Sequence, residues 1–185
     1  MVKLANFISK SMYKIYKSQT VIDNHKEFVS DCTSLFKELG RTLNNYDSTW
    51  SYDKYNIFSY ASPKKIWTDL YRELRDCAID FIGNDKDLCY QSWLNFHLEH
   101  QLLDWHDHKW PYHGYISIQP LQSKTVFEDF TISNEIGNIY IGYGNLQHKV
   151  ECDQVNKPRI TLGFDITDQQ DHISSNKGLQ QLFVR

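Results

Sequence analysis

Between Asp104 and Tyr115 the chain reads DWHDHKWPYHGY, three histidines and two aspartates set among two tryptophans and two tyrosines. Five of the eight histidines fall between His97 and His113. If this stretch is extended, residues i and i+2 point to one side, so His106 and His108 can converge on one ion. A stable site needs at least one more ligand from elsewhere. His148, in GYGNLQHKVE, is the candidate, because it directly follows a glycine-rich turn that starts a new strand. Neutral imidazoles suit iron, zinc, copper or nickel. A single histidine in this setting reads as a surface residue; an HxH pair with a third histidine after a tight turn reads as a metal site.

Further along, Arg159-Ile160-Thr161 opens the segment RITLGFDI. Arg159 and Thr161 are again i and i+2, so a guanidinium and a hydroxyl share a face. Together they can grip a carboxylate, the fork through charged hydrogen bonds and the hydroxyl through one more. An arginine pointing into a β-structure carries a desolvation cost that a bound anion offsets, whereas one on an outer face carries none.

HDH at 106–108, GNLQH ending at His148 and RIT at 159–161 resemble, in their order and spacing, the Fe(II)- and 2-oxoglutarate-dependent dioxygenases. That family's pattern is HxD or HxE on a strand, a distal histidine, then Arg-x-Ser or Arg-x-Thr. The stretches HGYISIQP and GNIYIGYGNLQHKVE are similar to the family's core strands around these motifs. The resemblance runs from about Tyr90 to Ile166 and more weakly through the helices before it; the compact length is similar to that of small phage and bacterial members. It implies a double-stranded β-helix, a jelly-roll or cupin-like barrel, buttressed by N-terminal helices. It implies His106 as the first ligand, His148 as the distal one, and Arg159 with Thr161 as the anchor for the far carboxylate of 2-oxoglutarate. Tyr115 and Ser117, which share a face, and Tyr143 are candidates to assist that anchor. The implied cofactors are Fe(II), 2-oxoglutarate as cosubstrate, and dioxygen. The implied reaction couples oxidative decarboxylation of 2-oxoglutarate to hydroxylation of an unactivated C–H bond, on a protein side chain or a small molecule.

The family's carboxylate belongs at position 108, where a histidine stands. Three arrangements are open. His106, His108 and His148 can form an all-nitrogen triad. A bulge beside Trp105 or Lys109 can re-aim the strand so that Asp107 replaces His108. The site can also rest on two protein ligands, or recruit Asp104, which shares a face with His106. Asp104 or Asp107 can instead accept the spare N–H of a ligating imidazole. His113 is a candidate polar group near the metal, and Trp105, Trp110 and Tyr112 are candidates for a substrate entrance or for packing. Two other functions fit part of the pattern. One is a cupin-like three-histidine metalloenzyme that does not use 2-oxoglutarate; the glutamate such enzymes carry soon after HxH does not occur before Glu128, and Arg159 has no task in it. The other is a non-catalytic metal-binding relative.

The elements that must position these residues read as helices followed by strands, an α+β chain that is mainly β. SPKKIWTDLYRELRDCAIDFIGN predicts a helix with Ser62 as N-cap, Pro63 at its first position and Gly83 closing it. Its buried face is Ile66, Trp67, Leu70, Tyr71, Leu74, Ala78 and Phe81. A weaker helical pattern spans about Ile22–Leu39 before Gly40, and an amphipathic helix is expected at the N-terminus, with Leu4, Phe7, Ile8 and Met12 on one side. Residues 41–61 read as a long loop with one strand near Tyr55–Tyr60. From Cys89 onward, seven short β-rich segments (89–99, 104–108, 113–121, 125–133, 137–144, 148–152 and 159–166) suggest a barrel or two-sheet sandwich.

The 185 residues fit one domain, with 1–86 as helical and loop support, 87–167 as the β core and 168–185 as a C-terminal tail. A net charge of -3 gives no general basic footprint for nucleic acid. No apolar run is long enough to cross a bilayer. Cys32, Cys77, Cys89 and Cys152 show neither disulfide-scaffold nor zinc-ribbon spacing, so thiols in a reducing cytoplasm are expected. The substrate is expected to be a small molecule or a protein segment.

Overall fold

The computed structural model describes residues 11–43, 55–61, 64–83, 88–98, 103–152, 157–168 and 182–184. Two long helices, α2 (His25–Leu43) and α4 (Lys65–Ile82), follow a short α1 (Gln19–Asp23), and α3 (Ile57–Ala61) lies between them. Helix α2 buries Phe28, Cys32, Leu35 and Leu39, and α4 buries Trp67, Leu70, Leu74, Ala78 and Phe81, each row spaced by three or four residues. Gly83 closes α4 in the left-handed conformation at φ 77°, and its amide donates to the Ile79 carbonyl.

Among the described residues nine strands form two antiparallel sheets. The larger contains β1 (Tyr13–Lys17), β6 (Asn138–Tyr143), β3 (Tyr112–Gln119), β8 (Arg159–Asp168), β2 (Leu88–His97) and β9 (Leu182–Val184), side by side in that order. The smaller contains β5 (Thr131–Ser133), β4 (Lys124–Phe127) and β7 (His148–Glu151). The larger sheet has two contrasting faces. Leu94, Phe96, Ile116, Ile118, Ile139, Ile141, Ile160, Leu162, Phe164 and Ile166 join the helices in one apolar core, where Phe36 of α2 stacks on Phe96 with ring centroids 4.2 Å apart. The alternate residues are largely polar and turn to the smaller sheet, against which Tyr115, Phe127, Ile132 and Tyr140 form a second cluster. Among the described residues the sheets remain open at their edges and do not close into the barrel expected above.

Four other expectations change. Residues 13–17 form the edge strand β1, paired with β6, instead of continuing an N-terminal helix; Leu4, Phe7 and Ile8 lie outside the described residues. The second helix runs on through Gly40 to Leu43 because its buried stripe ends at Leu39, inside the last turn, so burial on one side outweighs a single glycine's low propensity. Position 64, not Ser62, caps α4, and Ser62 and Pro63 lie outside the described residues. The strand expected at 55–60 is helix α3. Asn56 caps it by accepting from the Phe58 amide, while its side-chain amide donates to the Tyr90 carbonyl and the Tyr55 hydroxyl accepts from the Leu94 amide. Tyr55 and Asn56 therefore satisfy the edge of β2 with side chains, where a strand would have used its backbone. No cysteine forms a disulfide, and no helix among the described residues is long and apolar enough to cross a membrane.

Gly114 lies where β3 meets both neighbours. A Cβ there would come within 2.2 Å of the Phe164 ring and 2.3 Å of the Tyr140 carbonyl oxygen. A backbone oxygen cannot rotate aside, so Gly114→Ala is expected to cost about 3 kcal/mol, the upper end of overpacking. The check is the midpoint of urea unfolding.

Candidate metal centre

The segment carrying HDH is not a regular strand. It meets the smaller sheet through one bridge, in which His106 and His148 exchange backbone hydrogen bonds of 3.0 and 2.9 Å. The Val150 amide extends the contact to the Leu103 carbonyl, and His108 donates to the Gly144 carbonyl at 2.8 Å. Gly144 donates in turn to the Pro111 carbonyl at 3.0 Å, and a Cβ at Gly144 would sit 2.0 Å from the Trp110 carbonyl oxygen. The loop lies directly on the turn that begins β7, which is why the distal histidine reaches the first two.

One ring nitrogen each of His106, His108 and His148 lie within 4.8 Å of one another. Their tautomers follow from their partners. His106 Nδ1 is 2.7 Å from the Asp104 carbonyl oxygen, and His148 Nδ1 is 2.9 Å from that of Leu146. A carbonyl only accepts, so both Nδ1 atoms carry protons and both lone pairs lie on Nε2. His108 Nδ1 donates to Asp165 Oδ1 at 2.9 Å, and its Nε2 is buried without a hydrogen-bond partner. Burial lowers the pKa of His106, and lowers that of His148 to about 4, so each imidazole is neutral. Three imidazoles with converging ring nitrogens, one of them a buried nitrogen without a hydrogen-bond partner, fit a divalent transition metal.

Asp107 is exposed and accepts from Gln147 Nε2 at 3.3 Å, and Asp104 is exposed with its carboxylate on the Trp105 amide at 2.8 Å. Neither carboxylate belongs to the grouped ligand atoms among the described residues. Trp105 is also exposed, with Lys149 Nζ 5.4 Å above its ring. Tyr112 and Tyr143 pack against Phe81 of α4, on the helical side. Trp110 lines an open 370 Å³ pocket with His108, Lys109, Pro111 and Asn145.

Asp165 was missed in the sequence. It is buried on β8, opposite His113 of β3, and its Oδ1 also accepts from His113 Nδ1 at 3.0 Å. Burial pushes the Asp165 carboxyl up, but the two imidazole hydrogen bonds outweigh it and hold the pKa below the ordinary value. Burial holds His113 well below its own ordinary value. The rings of His108 and His113 stack at 3.4 Å, and Trp93 packs alongside both at 6.0 and 6.3 Å. Gly163 makes room for Trp93, since a Cβ there would lie 2.6 Å from the indole. The signal was available: Asp165 continues the i+2 row of Arg159 and Thr161.

At the other end of that row Arg159 is buried. It donates through Nε to Ser123 Oγ at 3.0 Å and through Nη1 to His97 Nδ1 at 3.3 Å. Among the described residues no carboxylate pairs with it, and burial lowers its pKa to about 10. Because His97 Nδ1 accepts, its proton is on Nε2, and that atom is buried with no acceptor. Thr161 accepts from Asn95 Nδ2 at 3.3 Å, the Tyr115 hydroxyl donates to Asn134 Oδ1 at 2.8 Å, and Ser117 Oγ, opposite Thr161, is buried without a partner. His97 and Ser123 were not singled out in the sequence. Ser123 follows Leu121 and Gln122, which hold φ of 53° and 58° in a turn between the two sheets, a conformation that a sequence without glycine there does not announce.

No family model matches the sequence, and no curated protein matches it. Solved structures do match in fold. The non-heme α-ketoglutarate-dependent carbocyclase SnoK of nogalamycin biosynthesis superposes with a TM-score of 0.64 at 13% identity, over 99% of this chain and 97% of that one. A prolyl-4-hydroxylase of Pseudomonas putida gives 0.57 at 8% identity, over 88% and 90%. The epimerase SnoN, solved with Fe3+, α-ketoglutarate and nogalamycin RO, gives 0.53 at 11% identity, over 86% and 80%. The chain therefore has the fold shared by these three solved structures.

His97, with its pKa lowered to about 3 by burial and then by Arg159, and His148, at about 4, are both neutral in the fold. Unfolded, each titrates near 6.5. Below 6.5 the unfolded chain therefore binds more protons, and the stability present above 6.5 is lost as pH falls toward those values. Each group contributes at most about 1.4 kcal/mol per pH unit. Urea unfolding in the presence of a chelator at pH 7, 6 and 5 is expected to show this decline, and it should be shallower in His97→Phe.

Proposed function

We propose that the protein is a non-heme Fe(II)- and 2-oxoglutarate-dependent dioxygenase, a hydroxylase acting on a protein side chain or a small molecule, built on a double-stranded β-helix. The observation that carries this reading is the buried pair of Arg159 and His97. A guanidinium and an imidazole N–H point donors into the interior with no carboxylate among the described residues to receive them, on the face of the larger sheet that turns to the smaller one. Buried donors of this kind are costly unless an anion meets them. A dicarboxylate that reaches from the histidines to Arg159 satisfies both ends.

In this reading His106, His108 and His148 hold the iron, which when bound supplies the electrons and the open positions for dioxygen chemistry. Arg159 holds the far carboxylate, and Ser123 keeps the guanidinium in place through Nε. The contacts to Ser123 and His97 use two of the five guanidinium N–H groups, so donors remain for the anion. His97 Nε2 adds a neutral donor, while Thr161 and Ser117 offer hydroxyls across the β3–β8 pair. The two-sheet interior excludes water from the cosubstrate. The substrate enters at the 370 Å³ pocket beside His108, a size that suits a side chain or a small molecule. A three-histidine metalloenzyme that does not use 2-oxoglutarate would share the imidazole group but leave Arg159 and His97 without a task.

Anaerobic addition of Fe(II) and 2-oxoglutarate to apo protein is expected to produce a visible charge-transfer band and a rise in melting temperature. Arg159→Ala should weaken 2-oxoglutarate more than about 100-fold, and His97→Phe by about 10-fold, from the loss of hydrogen bonds to a charged group. Absence of both the band and the thermal shift in the wild type would exclude the reading.

A further inference from the structure

The histidine at position 108 leaves the metal group without a negative charge of its own. Asp165 has such a charge in the same place. Its carboxylate is buried, and among the described residues its only ionisable partners are His108 and His113, which both donate to Oδ1. A carboxylate buried this deeply is costly to hold unless hydrogen bonds and a nearby cation meet it.

We infer that Asp165 supplies, from β8 and through His108, the carboxylate charge that the HDH segment does not place at its third position. It is a positioning residue, not a ligand. The distances of 2.9 and 3.0 Å from Oδ1 to the two Nδ1 atoms are hydrogen-bond distances, so His108, His113 and Asp165 close on themselves although their ligand atoms also cluster within 4.8 Å. The hydrogen bond to Asp165 fixes the His108 proton on Nδ1 and turns the buried, partnerless Nε2 into a donor of electrons to the metal. An anion hydrogen-bonded to a ligating imidazole also makes that imidazole more basic. The other two histidines differ: their Nδ1 protons go to neutral carbonyl oxygens. The stack of His113 and Trp93 on His108, in the space that Gly163 leaves, holds the ring over Asp165.

The inference rests on the proposed metal centre, and zinc binding without 2-oxoglutarate separates the two. In competition with a chromophoric chelator, wild-type protein is expected to bind Zn(II). Asp165→Asn, which keeps the shape and removes the charge, should bind it 10- to 100-fold more weakly, in the range seen when a partner of a metal-bound histidine is removed. In nitrogen-15 spectra of the apo protein the His108 ring should be the Nδ1–H tautomer in the wild type and, because the Asn carbonyl oxygen also accepts, in Asp165→Asn, so that lost affinity reports the lost charge. The double variant His108→Asp with Asp165→Asn moves the carboxylate into the HDH segment and should recover most of the lost affinity, which a purely structural role would not predict. Undiminished zinc binding by Asp165→Asn, or no recovery in the double variant, overturns the inference and leaves the metal centre standing. Absence of zinc binding in the wild type overturns both. If Asp165→Asn does not fold, the double variant decides by folding and binding zinc; if neither folds, Asp165 is a packing element and the inference is overturned.

Discussion

Strand β8 is buried on both faces, and the strict alternation of its side chains governs the rest of the structure. Ile160, Leu162, Phe164 and Ile166 turn one way, into the apolar core with α2 and α4. Arg159, Thr161, Gly163 and Asp165 turn the other way, toward the smaller sheet. A period of two makes these sets inseparable: a slip of one residue would drive a guanidinium and a carboxylate into the helices and four large apolar side chains into the polar interior. Fully burying one such side chain is worth roughly 1.5–3 kcal/mol, so four of them hold the register firmly. The helices thus fix the polar row without touching it, by packing on the opposite face. The neighbouring strands follow suit, since His97, Asn95 and Trp93 of β2 pair with Arg159, Thr161 and Gly163, and Ser117, Tyr115 and His113 of β3 pair with Thr161, Gly163 and Asp165.

The histidines come from the other side of this interior, on chain that backbone hydrogen bonds hold in place. The His106–His148 bridge and the contact of His108 with Gly144 tie an irregular loop to the first residue of β7. Irregular chain is thereby given the precision of a sheet at the positions that matter, and at the adjoining positions it stays open to the pocket at Trp110 and Pro111. The turn at Leu121 and Gln122 does the same work at the other end, by bringing Ser123 across from the larger sheet to Arg159.

Much of this was legible in the sequence, and the parts that were not share a cause. The strands from Leu88 to Asp168 and the helix over 65–82 declare themselves through period and punctuation, because burial on a regular element leaves a regular trace. His106, His108, His148, Arg159, Thr161, Tyr115 and Ser117 were recognisable as types at suggestive spacing, and the structure brings them to one interior. The spacing of DWHDH suits a strand, but its conformation depends on Gly144, nearly forty residues later. The helix at 57–61 was hidden because Tyr55 and Asn56 serve the edge of β2, a partner remote in sequence. Asp165 and His97 were overlooked for a different reason: each continues a row already noticed on its strand or its neighbour, but a lone polar residue in an apolar strand carries no label until the partner across the sheet is known.

The two charges on β8 raise a question of compensation that magnitudes decide. Arg159 and Asp165 share a face, and a self-contained ion pair would need no ligand. Six residues of strand separate their Cα atoms by about 20 Å. Even if both side chains reached halfway toward each other, at about 10 Å and an effective dielectric of about 20 their attraction would be under ~2 kcal/mol. The effective cost of burying the two ions is several kcal/mol each. They cannot satisfy one another, and among the described residues neither end has a fixed counter-ion of its own: Ser123 and His97 meet the guanidinium, and the imidazole N–H groups of His108 and His113 meet the carboxylate. Each end therefore favours a counter-charge of its own, an anion at Arg159 and a cation beside Asp165. In the function proposed above, a divalent metal at the histidines together with a dicarboxylate extending to Arg159 would meet both demands with one assembly, and neither component alone would do so. On this reasoning the metal and the cosubstrate should stabilise each other's binding, because each relieves a charge that the fold has already buried.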